Sequence, residues 1–282
     1  MKGITNLQIL NHAEGRFGNQ LFRIATLIGF AKKNNIEYHI PKEWEHLKYF
    51  KSENNENILP SKEIQSKITS TYHESGFHYN ELPSNVDYLQ IKGYFQSEKY
   101  FDTAYNEILS FFDFKDEFID KVKTNFSEDL VRVCLHVRHG DFYDRRTGGG
   151  HKGNENYHPV MTLKYYENAV EYLLKNVHFD EILVFTDHPE TKEFIYGKLE
   201  KYGKKIIYYD YSDSFIYDFI AQTLCNHFII PNSTFSWWSS YLSKSKDKII
   251  CSPYENDWLG PSYNHFNKND LLPNTWIKIT QN

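Results

Sequence analysis

The sequence predicts an α/β protein built from two Rossmann-like halves, and three observations support this fold class. In the C-terminal half, short apolar runs of strand length alternate with segments of helical periodicity, a pattern typical of βαβ units and a parallel sheet. The N-terminal half opens with the same order of strand, glycine-containing loop and helix. The chain of 282 residues, 40% of them hydrophobic, is also long enough to form two such domains.

The C-terminal half has the clearer pattern. Residues 131–137 alternate strictly, which places Val131, Val133, Leu135 and Val137 on one face of a strand. Further strands are predicted at Glu181–Phe185, Lys205–Tyr209, His227–Ile230 and Lys248–Cys251, with helices at Leu163–Asn176, Glu190–Tyr202 and Ser214–Cys225. We therefore predict a doubly wound parallel sheet in this half.

The N-terminal half is regular at its two ends and irregular between them. Strands are predicted at Leu7–Leu10, Glu37–Ile40 and Asp87–Lys92, and helices at Phe17–Lys33, Gln96–Phe112 and Asp116–Asn125. Residues 41–86 have weak periodicity, so we expect irregular structure with some helix there. We divide the chain into domains 1–128 and 129–282, facing each other across a cleft that binds the ligand.

Composition excludes several classes of partner. The 32 basic and 37 acidic side chains give a net charge of −5, which provides no basic field for nucleic acid or anionic lipid. The sequence has neither an apolar span of about 18 residues nor an apolar export segment near its start. The 3 cysteines form no CxxC pair, as expected of buried free thiols in a reducing compartment. We expect a cytoplasmic protein with no nucleic-acid partner and at most peripheral membrane association.

Polar residues follow the predicted strands of the C-terminal half, where ligands of open α/β sheets bind. His136 and Arg138 lie on one face at the end of their strand, and Asp187 ends the next strand. Arginine can bind phosphate through two parallel hydrogen bonds, and a helix start offers free N–H groups to an anion. The helix start predicted here comprises Asn232, Ser233, Thr234, Phe235 and Ser236. A nucleoside diphosphate would suit this edge, although each feature alone is also typical of a salt bridge or a helix cap.

The loop from Glu14 to Gln20 lies after the first predicted strand and opens a helix. It lacks the GxGxxG spacing of a dinucleotide site, so we expect its glycines to allow close approach of a ligand, with Arg16 and Asn19 pointing into the cleft. The sequence contains no D-x-D triplet for a diphosphate-bound metal, and its histidines show no regular ligand spacing. We therefore expect Arg138 and backbone N–H groups, and no metal, to meet the charge of a leaving diphosphate.

Taken together, these motifs resemble glycosyltransferase family 11, the α-1,2-fucosyltransferases. The resemblance rests on residues 15–22, 93–101, 136–142, 185–187 and 232–238, which follow the family order over most of the chain. It implies a GT-B fold, GDP-fucose held by the C-terminal domain, the acceptor on the side of the N-terminal domain, and no cofactor. The implied reaction is inverting, metal-independent transfer of L-fucose from GDP-β-L-fucose to a glycan hydroxyl, the 2-OH of a terminal galactose.

Three residues depart from the family pattern. His139 stands where the family usually has a second arginine, and His188 stands where it has a second aspartate. Arg16 replaces the usual leucine and makes the loop similar to that of protein O-fucosyltransferases. Two alternatives stay open: transfer to Ser or Thr of a protein, which Arg16 suggests, and a non-catalytic sugar-binding module, for which the aromatic content of 17% could argue.

The resemblance also suggests roles for single residues. Arg138 and the turn at residues 232–236 would receive the charge on the β-phosphate, with His136 fixing Arg138 or a phosphate oxygen. Asp187 would bind guanine or ribose. Asp144 is our first choice for the base that takes the acceptor proton, with Glu14 and His139 behind it. Residues 145–153, which include three consecutive glycines, are either a loop that closes over the acceptor or an ordinary connection.

Overall fold

The computed structural model describes residues 2–124, 126–127, 129–138, 156–187, 195, 197–209 and 214–282. The chain divides into two compact units. The N-terminal unit comprises Met1–Ile119 and Phe266–Pro273, and the C-terminal unit comprises Asp120–His265 and Asn274–Asn282. The predicted domain boundary at residue 128 stays a prediction. Within the described ranges, no helix has the length and apolar character needed to cross a membrane.

The N-terminal unit contains a parallel sheet with helices and 3-10 turns. Its five strands among the described residues lie in the order β3-β2-β1-β5-β4. They are β1 (Gly3–Thr5), β2 (Glu37–Pro41), β3 (Ile58–Leu59), β4 (Ser70–His73) and β5 (Tyr88–Lys92). The helices are α1 (Phe17–Asn34), α2 (Ser61–Lys67), α3 (Tyr105–Phe111) and α4 (Asp116–Lys123), the last of which leads into the C-terminal unit.

Helix α1 is the central helix of this unit. It buries residues on all its faces from Phe17 to Ala31 and ends at Asn35, whose left-handed backbone conformation (φ 51°) lets its N–H donate to carbonyls of the last turn. Gly29 allows close packing, because a Cβ there would lie 2.4 Å from the carbonyl oxygen of Tyr100. The helix therefore packs closely against the segment at Tyr100 and Phe101.

The C-terminal unit contains a second parallel sheet, whose six described strands lie in the order β11-β10-β9-β6-β7-β8. The strands are β6 (Arg132–Val137), β7 (Glu181–Thr186), β8 (Lys205–Tyr208), β9 (His227–Ile229), β10 (Ile250–Ser252) and β11 (Ile277–Lys278). The helices are α5 (Leu163–Asn176), α6 (Phe215–Thr223), α7 (Thr234–Leu242) and α8 (Glu255–Trp258).

Strand β6 lies at the centre of this sheet, and all of its residues are buried. It pairs in parallel with β7 on one side and with β9 on the other. At its amino end the Arg132 Nε donates to Glu181 Oε1 over 2.7 Å, and both side chains are buried. Because parallel strands end at the same edge, the residues that follow β9, β6 and β7 come together.

Most of the predicted elements are confirmed, with two differences. The helix predicted at Gln96–Phe112 is shorter: two 3-10 segments, Glu98–Tyr100 and Asp102–Ala104, precede α3 (Tyr105–Phe111). Residues Leu7–Leu10 form a 3-10 helix and not a strand, because the Asn6 side chain accepts the Gln8 N–H (2.9 Å) and ends β1. Within residues 41–86, predicted as irregular with some helix, the structure adds β3 and β4. Most of the helix predicted at 190–202 lies outside the described residues. The cysteines are buried and free, as predicted.

Candidate functional site

An arginine–aspartate pair lies at the carboxyl edge of the C-terminal sheet. Val137, the last residue of β6, is in register with Thr186, the last of β7, so Arg138 and Asp187 follow side by side. The Arg138 Nη1 donates to Asp187 Oδ2. The two side chains are 15% and 25% exposed, respectively. The pair is therefore accessible to a ligand, and the carboxylate orients the guanidinium.

His136 lies on β6 two residues before Arg138 and is buried. Burial, and secondly the charge of Arg138, lower the pKa of His136 to about 3. Its Nδ1 is buried and has no hydrogen-bond partner in the described part of the chain. The ring centroid lies 5.9 Å from that of Phe235. His136 is therefore neutral at physiological pH and can exchange a hydrogen bond without supplying charge.

The start of α7 follows β9 at the same edge. Ser233 is the N-cap in an extended conformation, and its side chain makes no capping hydrogen bond. Its own N–H donates to the carbonyl of Pro231 over 2.8 Å. The N–H groups of Thr234, Phe235 and Ser236 belong to the first helical turn, which has no acceptor within the helix. This turn can therefore bind an anion.

Asn232, immediately before this helix, has a supporting role. Its Nδ2 donates to the carbonyl oxygens of Pro159 (2.9 Å) and Trp258 (3.2 Å). These two hydrogen bonds hold the chain at Pro159 and at Trp258 against the start of α7. Its Oδ1 is buried and receives no hydrogen bond within the described ranges. Because both amide protons of Asn232 are in use, this side chain offers no donor to a phosphate oxygen.

Trp237 and Trp238 belong to the core. Both are fully buried. Trp237 packs against Tyr241 and Trp276, with ring centroids 4.9 Å and 5.2 Å away. Both rings therefore pack in the core, and neither is available to stack on a ligand.

In the N-terminal unit, Glu14 and Arg16 lie on the connection between β1 and α1, and Asn19 lies in the first turn of α1. The Glu14 carboxylate accepts hydrogen bonds from the side-chain amides of Gln8 and Asn11 (2.7 Å to Asn11). Gly15 has a φ of 147°, and a Cβ there would lie 2.8 Å from Asn19 Cβ. Arg16 is exposed at the N-cap of α1. Asn19 Oδ1 accepts from Gln96 Nε2 over 2.9 Å, which links this loop to the segment after β5.

Arg23 is a residue of this region that the sequence analysis missed. Its buried guanidinium, on α1, donates to three carbonyl oxygens, those of Gln8 (2.9 Å), Glu14 (2.7 Å) and Gly93 (2.8 Å). Burial lowers the pKa of Arg23. An arginine within the apolar run Leu21–Ile24 of a helix is a signal that could have revealed it.

Glu74, directly after β4, was also missed. Its Oε2 accepts from the N–H groups of Tyr94 (2.6 Å) and Phe95 (2.9 Å), and burial raises its pKa to about 7. Gly93 is required beside it, because a Cβ on that residue would lie 2.4 Å from Glu74 Cβ. Glu74 thus holds the segment after β5, while Arg23 joins that segment to the loop that ends at Glu14.

Several predicted site residues lie outside the described residues. They are Asp144, our first choice of base, His139, His188 and the loop at residues 145–153. Their roles stay predictions. Of the predicted residues that are described, Arg138, His136, Asp187 and the start of α7 lie at one sheet edge. Glu14 and Arg16 lie on the loop before α1 of the other unit, and Asn19 lies in the first turn of that helix.

The fold and this edge define an α/β protein with two parallel sheets, of which the second presents an arginine and a helix amino terminus at its carboxyl side. Comparison with known families identifies the group. The profile of glycosyl transferase family 11 matches residues 4–279, so the chain belongs to this family. The predicted family is confirmed.

Individual relatives agree with this assignment. The O-antigen biosynthesis glycosyltransferase WbnK of Escherichia coli is 26% identical over 203 residues, which are 68% of this chain and 63% of that protein, less than two thirds of its length. Galactoside alpha-(1,2)-fucosyltransferase 2 of Oryctolagus cuniculus is 25% identical over 96% of this chain and 76% of its own. The crystal structure of POFUT1 in complex with GDP matches with a TM-score of 0.53 and 13% identity, over 89% of this chain and 98% of that one. This likeness confirms the predicted α/β class with two parallel sheets.

The burial of neutral His136 predicts a pH dependence of stability. Between about pH 6.5 and about pH 3 the unfolded chain binds a proton at this histidine and the folded protein does not, so the free energy of unfolding falls as pH is lowered. In urea unfolding series at pH 7, 6, 5 and 4.5, His136→Asn should lose stability less steeply than wild type. His46, whose pKa burial lowers to about 4, contributes equally to both proteins.

The control for this measurement is His178→Asn, since His178 is exposed. It should follow the wild-type slope. Equal slopes for wild type and His136→Asn would mean that folding does not lower the pKa of His136.

Proposed function

We propose that the protein transfers L-fucose from GDP-β-L-fucose to a glycan hydroxyl, the 2-OH of a terminal galactose, with inversion and without a metal ion. The observation that carries this proposal is Arg138, presented with the first turn of α7 at the carboxyl edge of one parallel sheet. Membership of glycosyl transferase family 11 supports it, as does the name of the rabbit relative, a galactoside alpha-(1,2)-fucosyltransferase. The bound GDP of the POFUT1 crystal agrees with a guanine nucleotide donor.

In this reaction an acceptor oxygen attacks the anomeric carbon as the bond to the β-phosphate oxygen breaks. GDP leaves with the electron pair, and the acceptor proton passes to a base. Negative charge grows on the β-phosphate in the transition state, where preorganised donors are most effective. Arg138, already oriented by Asp187, and the N–H groups at the start of α7 are the donors that we assign to this charge.

Neutral His136 fits a supporting role at this edge. Because its pKa is about 3, it adds no charge to the diphosphate site and instead offers a hydrogen bond to a phosphate oxygen or to a ligand hydroxyl. Asp187 can accept from the N–H groups of guanine or the hydroxyls of ribose while it still contacts Arg138. Neighbouring residues at one sheet edge would then both recognise the nucleotide of the donor and contact its phosphates.

The acceptor is assigned to the N-terminal unit. Glu14 is a candidate base whose carboxylate is positioned by Gln8 and Asn11, and Asp144 and His139 are the other candidates. Glycan and protein acceptors can be separated directly by incubating the purified protein with GDP-fucose and either lactose, N-acetyllactosamine or a Ser/Thr peptide. Transfer to the peptide alone would replace the galactoside acceptor in the proposal, and failure even to hydrolyse GDP-fucose would favour a non-catalytic module.

Arg138 is expected to act mainly in the transition state. Removing one such charge-assisted contact costs roughly 3 kcal/mol, or on the order of a hundredfold in kcat. Arg138→Ala should therefore lower kcat about a hundredfold and change the donor KM less, because the contact strengthens as the leaving group gains charge. Arg138→Lys should recover little, since an ammonium lacks the planar fork. Steady-state kinetics with circular dichroism checks both variants.

The chain offers a matched control in Arg132→Lys. Arg132 pairs with Glu181 at the amino end of the same two strands, where it is buried. This variant should lower the melting temperature and leave kcat near wild type. A folded Arg138→Ala protein with normal kcat would contradict the proposed placement of the diphosphate.

Transfer should not depend on a divalent metal. Because Arg138 and the helix start can meet the diphosphate charge, the enzyme is expected to keep most of its initial rate in excess EDTA. Modest stimulation by added Mg²⁺ would still agree, since free cations bind the GDP product in solution. Complete loss of transfer in EDTA with full recovery in Mn²⁺ or Mg²⁺ would show that a metal holds the diphosphate.

Asp187 should affect donor binding. Asp187→Ala removes both the proposed nucleotide contact and the partner of Arg138, so calorimetry should show weaker binding of GDP and of GDP-fucose together. Guanosine binding separates the nucleotide contact from the pairing with Arg138. The affinity for guanosine should fall in Asp187→Ala if Asp187 contacts the nucleoside, and it should stay unchanged if Asp187 acts only through Arg138. Wild-type GDP affinity in a folded Asp187→Ala protein would mean that neither role is correct.

A further inference from the structure

Three potential metal ligands meet in the N-terminal unit although they are far apart in sequence. His12, Glu45 and His46 each bring a ligand atom to within 4.8 Å of the others. His12 begins the 3-10 helix His12–Glu14, and Glu45 and His46 begin another, Glu45–Tyr49. In the described part of the chain this is the one group of three such side chains.

The two imidazoles share one carboxylate oxygen. Glu45 Oε1 lies 3.7 Å from His12 Nε2 and 3.3 Å from His46 Nε2. Both separations exceed the roughly 2.9 Å of an N–H···O hydrogen bond. They are instead close to the separation of about 3.4 Å between neighbouring ligands of a tetrahedral ion with bonds near 2.1 Å. The two separations from the carboxylate oxygen are thus near those that a small divalent cation requires, and the two histidine ligand atoms lie within 4.8 Å of each other.

His46 is the fixed member of this group. It is buried, and its ring packs edge-on against Phe17 and Trp44, with centroids 5.0 Å and 5.8 Å away. His12 and Glu45 are more than half exposed at their side chains, so a cation can enter from solvent. One buried ligand and two accessible ones form a site that is oriented and open.

We propose that His12, Glu45 and His46 bind a late first-row divalent metal ion, with Zn²⁺ as the representative. Two imidazoles and one carboxylate are a borderline ligand set, which favours Zn²⁺, Co²⁺ or Ni²⁺ over Mg²⁺ or Ca²⁺. The role is structural: the ion would tie the turn at His12, which leads directly into Glu14 and Arg16, to the 3-10 segment at Glu45. This inference does not rest on the proposed function.

The test is calorimetric titration of the untagged full-length protein, after chelation and removal of the chelator, with ZnCl₂, CoCl₂ and MgCl₂. We expect Zn²⁺ and Co²⁺ to bind and Mg²⁺ not to bind. His12→Ala and Glu45→Gln should each weaken Zn²⁺ binding at least tenfold, and both replace exposed side chains. Excess Zn²⁺ should also raise the melting temperature of wild type by a few degrees, and this rise should disappear in both variants.

The matched control is His178→Ala. His178 forms an exposed pair with Asp180 (Nε2 to Oδ1, 3.2 Å), and the described residues supply no third ligand beside it. This variant should bind Zn²⁺ as wild type does. The proposal is overturned if wild type does not bind Zn²⁺, if His12→Ala or Glu45→Gln binds like wild type, or if His178→Ala weakens binding as much as they do.

Discussion

The parallel pairing of β6 with β7 and β9 is the constraint on which the candidate donor site depends. The register places Val137 beside Thr186. The residues that follow the two strands, Arg138 and Asp187, are therefore neighbours as well. On the other side of β6, β9 ends at Ile229 and leads into the N-cap Ser233. A cation, a carboxylate and a helix start thus converge because all three strands run in one direction.

This constraint explains why the C-terminal half could be predicted from sequence. Strand β6 alternates apolar residues from Val131 to Val137, and β7 has a continuous apolar run from Ile182 to Phe185, so the ends of both strands could be located to within a residue. The N-terminal half was harder to predict from sequence, because its elements depend on single contacts. β1 stops where the Asn6 side chain captures the Gln8 N–H, and β4 has alternating half-buried and exposed residues with no apolar run. Periodicity detects neither feature.

Side-chain pairing was harder to predict than position. The sequence placed Arg138 and Asp187 at one edge but did not show that they form an ion pair, because that follows from strand order and register. Arg23 and Glu74 were missed for the same reason: their partners are backbone groups of other segments, among them Gly93, 70 residues from Arg23, and Tyr94, 20 residues from Glu74. The cluster of His12 with Glu45 likewise exists only after the 3-10 turns that carry them have packed together.

Burial decides which of these groups can carry charge. His136, inside a six-stranded part of the described fold, has its pKa lowered, whereas Arg138 at the strand end stays exposed enough to meet a ligand. In the other unit, the raised pKa of Glu74 has the same cause, desolvation. Each unit orients its own polar groups through its own hydrogen bonds, Arg138 through Asp187 and the Glu14 loop through Arg23. Such preorganisation matters for transfer, because hydrogen-bond donors that are already oriented require no rearrangement as charge develops on the leaving group.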